Sequence, residues 1–124
     1  MRTRAAVLSA AGVSEPYAQT RPLQVEELTL DPPGAGEVLV RVTAASICHS
    51  DLSVVTGARP RPLPMALGHE ATGVIEEVGV GVGTVRPGDH VVFAFVPSCG
   101  VCAPCLTISA TCVGYLLPKL VRIH

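Results

Sequence analysis

Long apolar runs are missing from these 124 residues. Nothing approaches the ~18 consecutive apolar residues of a membrane-spanning helix, so no such helix is expected. Charge is also scarce: 15% of the residues are charged and the formal net charge is -1. A chain this close to neutral has no basic footprint for nucleic acid or for an anionic membrane. Few charges combined with 48% hydrophobic residues argue against disorder. Twelve glycines and eleven prolines interrupt the chain throughout. They exclude a helical bundle or coiled coil and favour short strands joined by turns. The length is that of one domain, enough to bury a core. Ala5 to Gly12 is small and apolar behind Arg2 and Arg4. It is short for a secretory leader and lacks a clear cleavage site, so a first strand and a cytoplasmic location are expected.

Strand patterns dominate what is present. Ala5 to Ser9 reads as the opening strand. Leu23 to Leu30 follows and stops at the turn residues Asp31-Pro32-Pro33-Gly34. Glu37 to Ala44 alternates, with Val38, Val40 and Val42 on one face and Leu39, Arg41 and Thr43 on the other. Thr72 to Val78 alternates again, with Ile75 opposite Val74 and Val78. Val91 to Val96 is the last clear strand, entered through Arg86-Pro87-Gly88-Asp89. One short helix is expected from about His49 to Val55, with Gly57 just past its end. Ala58 to Pro64 holds three prolines and two arginines and reads as an extended, solvated loop. Gly79-Val80-Gly81-Val82-Gly83 has Thr84 where a dinucleotide motif wants its third glycine, and a strand rather than a helix follows, so a β-turn is expected. No strand alternates with a long helix, so the βαβ units of a nucleotide-binding sheet are absent. The expected class is mainly β, a small barrel-like body.

Five cysteines remain, an odd number that disfavours a disulfide framework. Cys99, Cys102 and Cys105 form two successive C-x-x-C steps, and Cys112 follows. Four thiolates at such spacing can enclose one zinc tetrahedrally and leave no position for a substrate, which makes the site structural. Buried free thiols or a chance disulfide remain the bland alternative. Cys48-His49-Ser50-Asp51 stands at a strand-to-helix junction, and Gly68-His69-Glu70 opens the next strand region. Cys48 and His69 can converge on one ion and leave it open, the condition of a catalytic metal. The residues alone also allow Cys48 to be a small buried hydrophobe and His69 an ordinary hydrogen-bonded histidine.

Several stretches together carry a resemblance. They are Gly36-Glu37-Val38-Leu39-Val40-Arg41-Val42, Ile47-Cys48-His49-Ser50-Asp51-Leu52, Gly68-His69-Glu70-Ala71-Thr72-Gly73 with Gly79, Val85-Arg86-Pro87-Gly88-Asp89-His90-Val91-Val92, and the cysteine cluster. In this order the chain resembles the N-terminal catalytic domain of zinc-dependent medium-chain alcohol dehydrogenases, a GroES-like fold. The resemblance implies a partly open β-barrel with a short helix over residues 1–124. It also implies a cysteine-rich zinc lobe at about 97–113, after which 114–124 reads as an atypical tail.

By position, the resemblance makes Cys48 and His69 ligands of a catalytic zinc and Glu70 the carboxylate beside it. Asp51 becomes the acid that orients the histidine ligand, and Ser50 the hydroxyl that relays the alcohol proton. His49 lies near the cofactor pyrophosphate, and Cys99, Cys102, Cys105 and Cys112 hold a structural zinc. The implied reaction is hydride transfer between a primary or secondary alcohol and NAD(P), in a homo-oligomeric enzyme acting on small alcohols, aldehydes or ketones. Against the family pattern, the arc from Cys105 to Cys112 is one residue short, and Ser53 stands where longer proton relays have a histidine. The third zinc ligand and the Rossmann domain with its NAD(P) site lie beyond this stretch in the family. The expectation is therefore a truncated, inactive fragment, with a non-catalytic zinc-stabilised binding module as the alternative.

Overall fold

The computed structural model describes residues 1–93 and 103–107. Among them run β1 (Arg2–Leu8), α1 (Tyr17–Thr20), β2 (Leu23–Thr29), β3 (Val38–Ser46), α2 (His49–Val55), β4 (Met65–Leu67), β5 (Glu70–Val78), β6 (His90–Val92) and α3 (Ala103–Leu106). The strands form two antiparallel three-stranded sheets, ordered β2-β1-β4 and β3-β5-β6. The mainly β class expected from the glycine and proline pattern is therefore observed. The two sheets do not close into one barrel among the described residues. No helix among those residues is long and apolar enough to cross a membrane.

In each sheet the strand with the most buried residues is in the middle, where both backbone edges are paired. β1 pairs with β2 from Arg2↔Thr29 to Leu8↔Leu23 and with β4 from Ala6↔Leu67 to Leu8↔Met65. Its last residues, Val7 and Leu8, are fully buried. Leu8 packs with Val54 and Val55 of α2, and Tyr17, Leu23, Leu63, Met65 and Leu67 close around them. This cluster fastens α2 to the first sheet. In the second sheet β5 is central. Its alternate residues Ala71, Gly73 and Ile75 point inward, as the period-2 pattern dictates.

α2 has the expected bounds. Asp51, Val54 and Val55 are its buried residues, a spacing that places all three on one helix face. Gly57 follows in the left-handed region at φ 78° and returns its N–H to Val54 O. Residues 58–64 contain no helix or strand, in keeping with their prolines. Gly79 to Val82 closes as a turn through Val82 N–H to Gly79 O, and no helix follows it.

The structure corrects several boundaries. β1 begins at Arg2 instead of Ala5, because its outer residues are held by pairing with β2. The turn after β2 closes at Gly34–Glu37, three residues later than the proline pair suggested. α1 and β4 were not expected: four- and three-residue elements carry no measurable periodicity, and β4 exists only because β1 offers it an edge. β6 spans His90–Val92, and residues 94–96 of the expected strand lie outside the described residues. β3 runs to Ser46 and slips register between Leu39 and Val40 and again between Val42 and Ala44. These irregularities interrupt the clean alternation read from its valines, and Val38 and Val42 are exposed.

Among the glycines of the described residues, Gly79 leaves the least room for a side chain. A Cβ there would stand 1.8 Å from Gly34 O, so only glycine lets β5 leave the sheet past the β3 entry turn. Gly79→Ala is expected to cost about 3 kcal/mol or more, through forced backbone displacement. Gly83→Ala, which points into open space, should stay within about 0.5 kcal/mol of wild type. Urea denaturation of both variants checks the contrast, and equal midpoints would refute it.

Candidate metal centre

The first turn of α2 and the two residues before β5 build the site. Cys48 is the N-cap of α2, with extended backbone, and its Sγ accepts the Ser50 N–H at 3.3 Å. Asp51, three residues on, returns Oδ2 to the Cys48 N–H at 3.0 Å. This is a capping box with cysteine in the usual serine place. Gly68, at φ 102°, turns the chain between β4 and β5. A side chain at that φ is strained, so glycine is what allows His69 to face the helix.

His69 meets that first turn on both ring nitrogens. Nδ1 lies 2.9 Å from Asp51 Oδ1, and Nε2 lies 3.4 Å from Cys48 Sγ and 3.3 Å from Ser50 Oγ. Ser50 Oγ and Cys48 Sγ are 2.8 Å apart. Asp51 is only 3% exposed, on the same helix face as Val54 and Val55. A carboxylate on that face must be hydrogen-bonded to be tolerated. Both of its oxygens are engaged, one on the His69 ring and one on the Cys48 N–H. With Nδ1–H donating to Asp51, Nε2 is left as the acceptor nitrogen.

The donor set fits a zinc ion. Cys48, Asp51 and His69 bring one ligand atom each within 4.8 Å of one another. The carboxylate is already committed to the His69 ring and the Cys48 N–H, and Sγ and Nε2 face each other across the site. Zinc at tetrahedral angles, with ordinary Zn–S and Zn–N bonds, separates those two atoms by about 3.5 Å. The observed 3.4 Å is that separation. The carboxylate behind the far ring nitrogen is the usual support of a zinc-binding histidine.

The remaining expected residues divide. His49 is exposed at the first helical position, and its carbonyl accepts the Ser53 hydroxyl at 3.0 Å. Ser53 thus bonds back onto its own helix and does not extend a chain from Ser50. Glu70 opens β5 on the surface and takes a hydrogen bond from Ser46 Oγ at 2.9 Å. It is not part of the three-residue cluster. Cys105 falls in α3, and Cys99, Cys102 and Cys112 lie outside the described residues. Sequence reasoning missed Ser46, which meets Glu70 only through the β3–β5 register. It also missed the Cys48–Asp51 cap, although the C-x-x-D spacing is a visible variant of the capping-box signal.

Fold and donor set together define a mainly β domain able to hold a metal between a thiol and an imidazole. The alcohol dehydrogenase GroES-like domain family matches residues 34–118, and the chain belongs to this family. It is 50% identical over 107 residues to the NDMA-dependent alcohol dehydrogenase of Amycolatopsis methanolica, covering 86% of this chain and 27% of that protein. Among solved structures it is similar to the alcohol dehydrogenase zinc-binding domain protein from Burkholderia ambifaria. That match has 43% identity and a TM-score of 0.73, and covers 86% of this chain and 26% of the other. It is also similar to the cobalt- and zinc-bound thermostable alcohol dehydrogenase from Pyrobaculum aerophilum. Here the identity is 39% and the TM-score 0.70, over 86% of this chain and 30% of that one. The chain therefore spans about a quarter of the length of the curated relatives it matches.

Asp51→Ala removes the acceptor for the His69 ring and for the helix N-terminus at once. Zinc affinity should fall about 10- to 100-fold, the usual effect of losing such a support. Competition against a chromophoric chelator measures the affinity, and the ¹⁵N shifts of His69 report its tautomer. Unchanged affinity with a mixed tautomer would refute the assignment.

Proposed function

We propose that this chain supplies the metal-binding part of a zinc-dependent alcohol dehydrogenase that transfers hydride between a primary or secondary alcohol and NAD(P). The observation that carries the reading is the Cys48 Sγ–His69 Nε2 pair, 3.4 Å apart with Nδ1 held by Asp51. In this reading Cys48 and His69 hold the catalytic zinc. Cys99, Cys102, Cys105 and Cys112 hold a structural one, in line with the zinc named for two of the similar structures. When bound, the catalytic zinc supplies Lewis-acid polarisation of an alcohol or carbonyl oxygen.

The chain's own residues do the rest. Asp51 keeps the His69 ring in one tautomer and one orientation. Ser50 Oγ lies within hydrogen-bond distance of Sγ and Nε2, so a hydroxyl stands beside the point those two atoms share. It can take the proton of a substrate hydroxyl there and return it in the reverse direction, as an acid–base group within reach of the reacting atom does. Because the Ser53 hydroxyl is turned onto His49 O, the proton passes from Ser50 to water. His49, at the exposed start of α2, is the residue assigned to the cofactor pyrophosphate. Glu70 is the carboxylate next to the metal-binding histidine in sequence. The nicotinamide performs the hydride chemistry, and the protein contributes position and charge.

The test uses the 124-residue chain loaded with Co²⁺ as a spectroscopic substitute. A thiolate charge-transfer band should be present and lost in Cys48→Ala, and the d–d bands should vanish in part in His69→Ala. Trifluoroethanol, an alcohol without turnover, should shift the remaining bands in wild type only. Among the described residues there is no βαβ unit to form a dinucleotide site. Addition of NAD⁺ or NADP⁺ with alcohols is therefore expected to give no measurable turnover by these residues alone. Absence of any Cys48-dependent band would overturn the metal reading. A band insensitive to alcohols would overturn the substrate class.

A further inference from the structure

We infer that Ser46 is a positioning residue for the metal centre, acting through a hydrogen bond to Glu70 that braces the two ligand-bearing segments. The inference rests on the metal reading of Cys48 and His69. The two segments are neighbours in the second sheet. The last backbone pair of β3 with β5 is Ser46↔Glu70. Beyond that rung one chain continues through Ile47 to Cys48, and the other leads back through His69 to Gly68. Both ligands thus hang from the end of a ladder, at one residue's distance on one side and two on the other.

The end of a ladder is where strands fray, because the terminal pair has neighbours on one side only. At this terminal rung the side chains add a bond of their own: Ser46 Oγ donates to Glu70 Oε2 at 2.9 Å. The backbones are close here as well, since a Cβ on Gly68 would come within 3.6 Å of Ser46 O. The rung therefore sets how far apart the Cys48 and His69 segments start. The Asp51 carboxylate sets how the ring is turned once it arrives. Without the rung, the Sγ–Nε2 separation would be free to widen, and a shared ion would be held by a looser pair. Ser46 touches neither ligand atom; its effect passes through Glu70 and the backbone. Glu70 acts here as a hydrogen-bond acceptor, which requires an oxygen but not a charge.

Ser46→Ala and Ser46→Thr in the 124-residue chain test this. Each is loaded with Co²⁺, and the readouts are the Cys48-dependent charge-transfer band and the rate of metal release to excess chelator. Ser46→Ala should release the metal 3- to 10-fold faster and shift the band. Ser46→Thr keeps the hydroxyl donor, so it should stay within twofold of wild type. Unfolding midpoints are measured alongside. A lower midpoint for Ser46→Ala with unchanged release would make the contact merely structural and overturn the inference. Slower release from Ser46→Ala would mean that the freed Glu70 carboxylate binds the metal, and would overturn it too. Release from Ser46→Thr as fast as from Ser46→Ala would show that the hydroxyl is not what holds the rung, again against the brace. If wild type shows no Cys48-dependent band, the metal reading itself fails and this inference falls with it.

Discussion

The centre of this domain hangs on one buried carboxylate. Asp51 sits on the face of α2 that packs into the core beside Val54 and Val55, where an unpaired charge would be costly. Its two oxygens have two partners, the His69 ring and the Cys48 N–H. One partner comes from the segment before β5 and the other from the helix N-terminus. The same group therefore caps the helix, selects the histidine tautomer and brings the thiol and the imidazole to a common point. The cap on Cys48 is local to the helix, whereas the bond to His69 forms only when the segment before β5 is in place.

The sheets exist to deliver those segments. The first sheet anchors α2 through Leu8 and the side chains around Val54 and Val55. The second brings β3 and β5 together so that Ser46 and Glu70 form the last pair between them, and Cys48 and His69 lie just beyond. Glycine is used where the backbone demands it. Gly79 lets β5 pass Gly34 O, and Gly68 turns His69 toward the helix. Low charge suits this arrangement. The only charged side chain buried among the described residues is the one that holds the site together.

Much of this was readable along the chain. The alternation in β5, the bounds of α2 and the turn at Gly79 to Val82 follow from local pattern, and local pattern is what periodicity and glycine placement report. The joint motifs marked the family, which the match over residues 34–118 shows, and they singled out Cys48 and His69, which the structure brings to 3.4 Å. The slips in β3 were not legible, because its valines keep an alternating appearance whether or not the partner strand bulges. β4 was invisible because three residues become a strand only when an edge is offered. Ser46 looked like any serine, since its partner Glu70 lies 24 residues away.

By itself the sequence determined the class of elements and the family, and it nominated Cys48 and His69 as candidate donors. These depend on residue type and short-range spacing, which need no knowledge of the partner segment. Only the tertiary structure decided that Asp51 serves both Cys48 and His69 and that Ser53 turns away from Ser50. It also decided that the thiol and imidazole stand 3.4 Å apart. Distances of that kind depend on the register of β3 against β5 and on the packing of α2 on β1. Register and packing are settled between segments far apart in the chain, where no local pattern records them.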